Sequence, residues 1–266
     1  MTTAKELGEK AADLRAVIDQ YLPPPSTRAP IAGLYPDADV IATELMWGGI
    51  WNEPGLDHRL RSIATITAQA VNGFDFGLHH QCRVGLTLGI PPQTIKAMLL
   101  ELRFWIGVPS TVFAFLKLQE VINERKEWQQ MDVPVDAPWL PTVEEKVKRG
   151  RESIRKEWGE KADEMAATVT HALVPGVAAL VDGYHYGEVW ARSPLTAKER
   201  MVSILTALMC RGHMKQLRRQ IGYALDAGLS RREICETFAQ SGWYRGWPYV
   251  EDALEEAKQV FAERGI

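Results

Sequence analysis

The stretch Tyr186-Gly187-Glu188-Val189-Trp190, running on to Gly246-Trp247-Pro248, decides how this chain is read, because moving it back by 139 positions meets the same text again. Trp51 falls on Trp190, Leu56 on Leu195, Arg61 on Arg200 and Thr67-Ala68 on Thr206-Ala207. Gly73, Gln81, Gly89, Gly107 and Pro109 fall on Gly212, Gln220, Gly228, Gly246 and Pro248. Residues 51–125 against 190–264 give 17 identities in 75 positions without a gap. That is about three times what chance pairing at ordinary composition supplies. One register held over that length marks a duplication, so two copies of one module are expected.

Local signals make the module helical. Residues 4–22 place Leu7, Ala11, Leu14, Val17, Ile18 and Tyr21 at helical spacing, and Pro23-Pro24-Pro25 stops them. A short helix over 37–48 leads into Trp51. Asp57 is an N-cap for a helix to Ala70, ended by Gly73. Helices follow over 76–88, closed by Gly89, from Pro91 or Pro92 to Ile106, and from Pro109 to Arg125. Residues 126–142 carry Trp128, Pro134, Pro138 and Pro141 without a period and read as a connection. The second copy starts near Val143 with a charged helix to Trp158 and another to Leu173. Thr196-Ala-Lys-Glu199 is a capping box, and helices over 196–211, 213–227, 230–245 and 248–264 follow. No segment alternates like a strand. The chain is expected to be all-α, with modules at 1–125 and 143–266 and a linker at 126–142.

Composition narrows the function. The 266 residues are 46% hydrophobic and 24% charged, enough to bury a core. Net charge is −3, which argues against a nucleic-acid surface. The longest apolar run, 172–181, is broken by Pro175-Gly176 and is too short to span a membrane. The N-terminal residues are polar and charged, and Cys82, Cys210 and Cys235 form no C-x-x-C pair, so a reducing cytoplasm is expected.

With these segments in hand, the chain resembles the carboxymuconolactone decarboxylase family. The residues that carry this are Gly187-Glu188-Val189-Trp190, Pro194-Leu195, Arg200, Ala224-Leu225, Gly228-Leu229 and Gly246-Trp247-Pro248. The first copy offers Trp47-Gly48-Gly49-Ile50-Trp51-Asn52, Pro54-Gly55-Leu56-Asp57 and Arg59, and Lys148-Arg149-Gly150 to Trp158-Gly159 looks like the family's leader helix. The resemblance implies helical modules that assemble into rings, and either cofactor-free decarboxylation of carboxylated lactones or thiol-dependent peroxide reduction of the alkyl hydroperoxidase D type. The peroxide reductases need two cysteines one turn apart. Their positions here hold Phe74 and Gly77 in one copy and His213 and Gln216 in the other. The decarboxylases place a histidine eight residues before the helix-ending glycine, where this chain has Gln81 and Gln220, and glutamine transfers no proton near neutrality.

Candidate site residues follow from the difference between the copies. Gln220, Gln216 and His213 share one helix face, whereas the first copy has Gln81, Gly77 and Phe74 there. One working pocket is therefore expected, in the second module. His213 supplies a group that titrates near neutrality. Glu188 faces Gly49 across the repeat, and desolvation beside Val189 and Tyr186 favours its proton-bearing form unless a cation pairs with it. Glu188 and His213 are the expected proton carriers, with Gln216, Gln220 and Gln81 as polar substrate contacts and Trp190 as a pocket wall. Arg200, kept in both copies as Arg61, is either an anion clamp or a structural ion pair. His80, one residue from the family histidine, is a further catalytic candidate. His79-His80-Gln81-Cys82 lacks the geometry for four ligands, so no metal is expected, and no cofactor.

The functional expectation is a lyase or isomerase acting by acid–base chemistry on a small oxygenated, carboxylate-bearing ring compound. The expected assembly is a homo-oligomer, a dimer or trimer, with no nucleic-acid or membrane partner. A non-catalytic binding or assembly protein, and a peroxide reductase using an isolated thiol, stay open as alternatives.

Overall fold

A computed structural model describes residues 2–18, 35–134, 138–159, 162–165 and 168–266. Pro23-Pro24-Pro25 and the end of the first expected helix lie outside the described residues. Among those described there is no strand, and the fold is all-α with the duplication visible throughout.

The elements are α1 (Ala4–Ile18), α2 (Pro36–Ile41), α3 (His58–Asn72), α4 (Asp75–Thr87), α5 (Pro92–Ile106), α6 (Val108–Asn123) and α7 (Lys126–Met131). After them come α8 (Val143–Trp158), α9 (Ala162–Met165), α10 (Val169–Leu173), α11 (Pro175–Asp182), α12 (Ala197–Arg211), α13 (Met214–Asp226), α14 (Arg231–Arg245) and α15 (Trp247–Glu263). Both α2 and α11 run on into wider π-helical turns, Ala42–Gly49 and Gly183–Trp190. No helix of the described residues is long and apolar enough to cross a membrane.

The caps act where the sequence places them. Asp57 accepts from Leu60 N at 2.7 Å, and Thr196 and Glu199 close their capping box. Gly73 and Gly212 take φ of 66° and 72°, the left-handed C-terminal geometry that a side chain resists. Two segments depart from expectation. The connection contains helix α7, because Trp128 buries itself in the core and orders the turn around it. The stretch before Leu173 is broken into α9 and α10 instead of one helix.

The repeat reaches further forward than the identities. Helices α1 and α8 start 139 residues apart, and each packs on its own π segment. A Cβ on Gly48 would stand 2.0 Å from the carbonyl oxygen of Leu7, and one on Gly187 would stand 2.0 Å from that of Lys146. Leu7 and Lys146 are themselves 139 apart. The same backbone-to-backbone approach, open only to glycine, therefore recurs in both copies.

At the centre, α3 and α12 pack against each other and are buried on nearly every face, from Leu60 to Val71 and from Glu199 to Cys210. Small polar residues such as Ser62, Thr65, Ser203 and Thr206 let these helices approach closely. Each then crosses to the other module, with α3 against α14 and α12 against α5. One continuous core results, holding residues from Leu56 to Phe261. The surroundings of α5 and of α14 consequently include residues of both copies.

Candidate functional site

The π segment Gly183–Trp190 brings the densest chemistry together, because its wide turns point His185, Glu188 and Trp190 inward, with α8 and α5 packed on the segment and Arg200 of α12 reaching the Trp190 carbonyl. All three are buried. Glu188 is the centre of a cationic cluster. Arg149 on α8 pairs with its Oε2 at 2.5 Å, Arg192 approaches the same oxygen at 3.4 Å, and Lys146 stands 4.0 Å from Oε1. Leu140 N donates to Oε1 at 2.8 Å. Three cations thus surround one buried carboxylate.

Beside this cluster a cleft of about 350 Å³ opens between the modules. Its first-module wall comes from α5 and α6 with Lys96, Leu100 and Phe115, and its second-module wall from Glu188, Arg192 and Ser193, with Trp139 at the side. Arg192 lies over the Trp139 ring at 5.3 Å, and Lys96 pairs with Asp132 at 2.5 Å. The arrangement is a largely apolar slot with one cation on each wall, Lys96 and Arg192, suited to a small organic carboxylate.

Behind the cleft lies a second network, buried except for the part-exposed Glu157. Arg200 gives Nε to both oxygens of Glu101, at 3.0 and 3.2 Å, Nη1 to Glu157 at 2.7 Å and Nη2 to the Trp190 carbonyl at 3.2 Å. Its guanidinium also covers the Trp190 ring at 3.9 Å. Burial raises Glu101 to about 7, opposed by Arg200 and by a hydrogen bond from Ser193. His185 is pushed down to about 3, first by burial and then by Arg200, so it is neutral at neutral pH. Its ring is stacked between Phe104 at 4.2 Å and Tyr186 at 4.3 Å, with Trp105 and Trp190 edge-on at 6.0 Å each. Both His185 Nε2 and Trp105 Nε1 are buried without a hydrogen-bond partner.

The residues singled out from the sequence are dispersed. Glu188 lies on the cleft and Trp190 behind it, while Arg200 is committed to Glu101 and Glu157, facing no open space. His213 and Gln216 are exposed on α13, and none of the partners that hold Glu188 comes from that helix. Gln220 and Gln81 are buried, the latter with Oε1 lacking a partner. His80 is half-buried, edge-on to Trp47 at 6.3 Å, in the other copy's aromatic cluster. The helix face shared by Gln220, Gln216 and His213 therefore does not form one pocket wall, because only its first member turns inward. His79 pairs with Glu124 at 3.1 Å. Burial raises the thiols of Cys82 and Cys210 to about 12, and raises Cys235 too, which disfavours the thiolate that peroxide reduction requires.

Several residues of this site were missed in the sequence: Lys96, Glu101, Lys146, Arg149, His185, Arg192 and Ser193. A signal existed for some. Glu101 interrupts the apolar run Ala97-Met98-Leu99-Leu100, and Lys146 and Arg149 are three apart on a helix, hence on one face.

Comparison with known proteins agrees with the duplication. The sequence model of the Carboxymuconolactone decarboxylase family matches twice, over residues 36–120 and 175–259, more than half of the chain and again 139 apart. An uncharacterized 15.0 kDa protein of Paracoccus denitrificans is 37% identical over 93 residues, 34% of this chain and 69% of that protein. A nitrosuccinic acid decarboxylase of Metarhizium robertsii is 32% identical over 87 residues, 32% of this chain and 59% of its own length. The 4-carboxymuconolactone decarboxylase of Acinetobacter baylyi is 24% identical over 123 residues, 46% of this chain and 92% of that protein.

Proposed function

Because the chain belongs to the carboxymuconolactone decarboxylase family, we propose that it is a decarboxylase-like lyase whose working site is the cleft between α5 and the π segment Gly183–Trp190. Its substrate is a small organic acid with an electron-withdrawing group next to the carboxylate. Two relatives named for decarboxylation of nitrosuccinic acid and 4-carboxymuconolactone support the reaction class. The observation that carries the reading is the cluster of Arg149, Arg192 and Lys146 around Glu188, opening on an apolar slot.

In this reading Glu188 organises cations, while the substrate meets Arg192 and Lys96. Trp139 and Phe115 flank its carbon skeleton, excluding water. The bond to the carboxylate breaks and carbon dioxide leaves. The electron pair moves onto the oxygen of the neighbouring carbonyl or nitro group, where a fixed guanidinium stabilises the charge without reorganising. A proton then returns to carbon, so each turnover consumes one proton. His213, His80 and Gln216 take no part, and Gln220 and Gln81 serve the packing of α13 and α4.

The test is carbon dioxide release from nitrosuccinate and from 4-carboxymuconolactone, with calorimetric binding alongside. Turnover of at least one is expected, with kcat/KM falling about 10²–10³-fold in Arg192→Ala, the usual effect of losing one fixed donor. Neither release nor binding of either acid would sink the reading. Binding without release would instead make the cleft a carboxylate receptor.

A further inference from the structure

The duplication supplies an internal control for the buried arginines. Arg61 and Arg200 are equivalent, and so are Gln240 and Glu101, which grip them. Around Arg61 the grip is a neutral amide, with Nη1 donating to Gln240 Oε1 at 3.1 Å, and a single carboxylate, Glu236, that balances the charge. Around Arg200 there are two carboxylates, Glu101 and Glu157, for one guanidinium. Of the two acids Glu157 is part-exposed and Glu101 wholly buried, so Glu101 is the one relieved by keeping a proton. Holding the arginine does not require that extra acid, since a glutamine does so in the other copy.

The extra acid also has an outlet. Ser193 lies beside Glu101, where its hydroxyl opposes the rise in the Glu101 pKa, and it lines the cleft, its Oγ accepting from Leu195 N at 3.3 Å. Its equivalent in the first copy is Pro54, which has no hydroxyl. Store and outlet therefore occur together, and only in the copy whose cleft carries the cations.

We propose that Glu101 is the proton store of the cleft and that it delivers its proton through the Ser193 hydroxyl to the carbon left by decarboxylation. This rests on the lyase reading above. The Glu101 O–H bond breaks as Ser193 Oγ takes that proton, and the original Ser193 O–H bond breaks as its proton bonds to the substrate carbon. Ser193 is regenerated, and Glu101 is left ionised beside Arg200 until solvent reprotonates it. The groups that face Glu101 are Arg200 on α12, Glu157 on α8 and Ser193 before α12, with neutral His185 also near Arg200. Helix α3 meets α5 through Thr67 at Met98, and α6 brings Phe115, over which Arg103 of α5 lies. Glu101 acts through Ser193, so it is a positioning residue for the proton.

The variants are Glu101→Gln, which reproduces the Gln240 arrangement and should fold, and Ser193→Ala. Carbon-13 NMR of glutamate-labelled whole protein reads the store directly. One carboxyl titrating near pH 7 is expected, absent from Glu101→Gln. In nitrosuccinate or 4-carboxymuconolactone turnover, wild-type kcat should fall as pH rises through about 7. Both variants should lose about 10²-fold in kcat with little change in KM, and Glu101→Gln should lose that pH step. Variants with wild-type kcat and an unchanged pH profile overturn the relay while leaving the lyase reading intact. If the parent releases no carbon dioxide, the lyase reading and the relay both fall, and the NMR titration still judges the store. A Glu101 signal in the ordinary carboxylate range overturns the store itself.

Discussion

Arg61 and Arg200 occupy the same position of the two copies, yet their surroundings have drifted in opposite directions. Around Arg61 the neighbouring aromatic cluster satisfies itself, with Trp51 Nε1 donating to Tyr244 Oη at 3.2 Å and Tyr244 Oη reaching Met46 Sδ at 3.6 Å. The equivalent positions near Arg200 are Trp190, Trp105 and His185, and there His185 Nε2 and Trp105 Nε1 have no partner. Gly49 in one π segment is Glu188 in the other, Leu7 is Lys146, and Glu53 is Arg192. The Arg61 junction leaves Arg61 Nε buried without a hydrogen-bond partner, while its aromatic side chains pair with one another. Its counterpart keeps charge and unsatisfied polarity beside a cleft, an expensive arrangement in a fold stable by only about 5–15 kcal/mol. A duplicated fold can hold such a cost in one half because the other half supplies ordinary packing.

The largest effect that sharpens this contrast is Glu188→Ala. It leaves three cations around a buried void and should cost about 3–5 kcal/mol in denaturant unfolding. A loss below about 1 kcal/mol would show that the two π segments are energetically alike. Next come Gly48→Ala and Gly187→Ala, expected to cost about 1–3 kcal/mol each, because both place a methyl against a backbone carbonyl. Equal losses would locate the asymmetry in side chains alone, whereas unequal losses would extend it to the backbone.

A smaller effect is set by pH. His185 has its folded pKa lowered to about 3, so its contribution to stability is present above its ordinary 6.5 and is lost as pH falls toward 3. His185→Met, which copies Met46, should remove up to about 1.4 kcal/mol per pH unit of that acid slope, read from unfolding midpoints across the range. An unchanged slope would mean that His185 is solvated. The smallest effect is chemical. A thiol reagent at mildly alkaline pH should reach Cys235 slowly and Cys82 and Cys210 only after unfolding, since burial raises the latter two to about 12. Rapid labelling of Cys82 would reopen thiol chemistry in the first copy.

Much of the fold was legible because its signals are local. Helices α3 to α5 and α12 to α14 begin and end within about two residues of the expected bounds, as caps and glycines act over one turn. The ordering of α7 by Trp128 depended on burial against distant helices. The site was less legible. Glu188, singled out by its mismatch with Gly49, lies on the cleft. His213 and Gln216 were drawn in by a shared helix face, a pattern that says which residues are neighbours but not which way the helix is turned. Arg149 and Lys146 went unnoticed because a charged face such as that of α8 ordinarily faces solvent, and only the π segment packed on it shows otherwise.

The chain by itself determined that there are two copies, that they are helical, and that the second carries the carboxylate the first has replaced with glycine. These properties follow from register and from interactions within a few residues. Tertiary structure alone decided that α5 of the first copy is a wall of the second copy's site, bringing Glu101 to Arg200 and Lys96 across from Arg192. The reason is the exchange of α3 and α12 across the centre of the molecule. That packing is set by the shapes of two wholly buried helix surfaces, and no spacing along the sequence encodes which surface meets which.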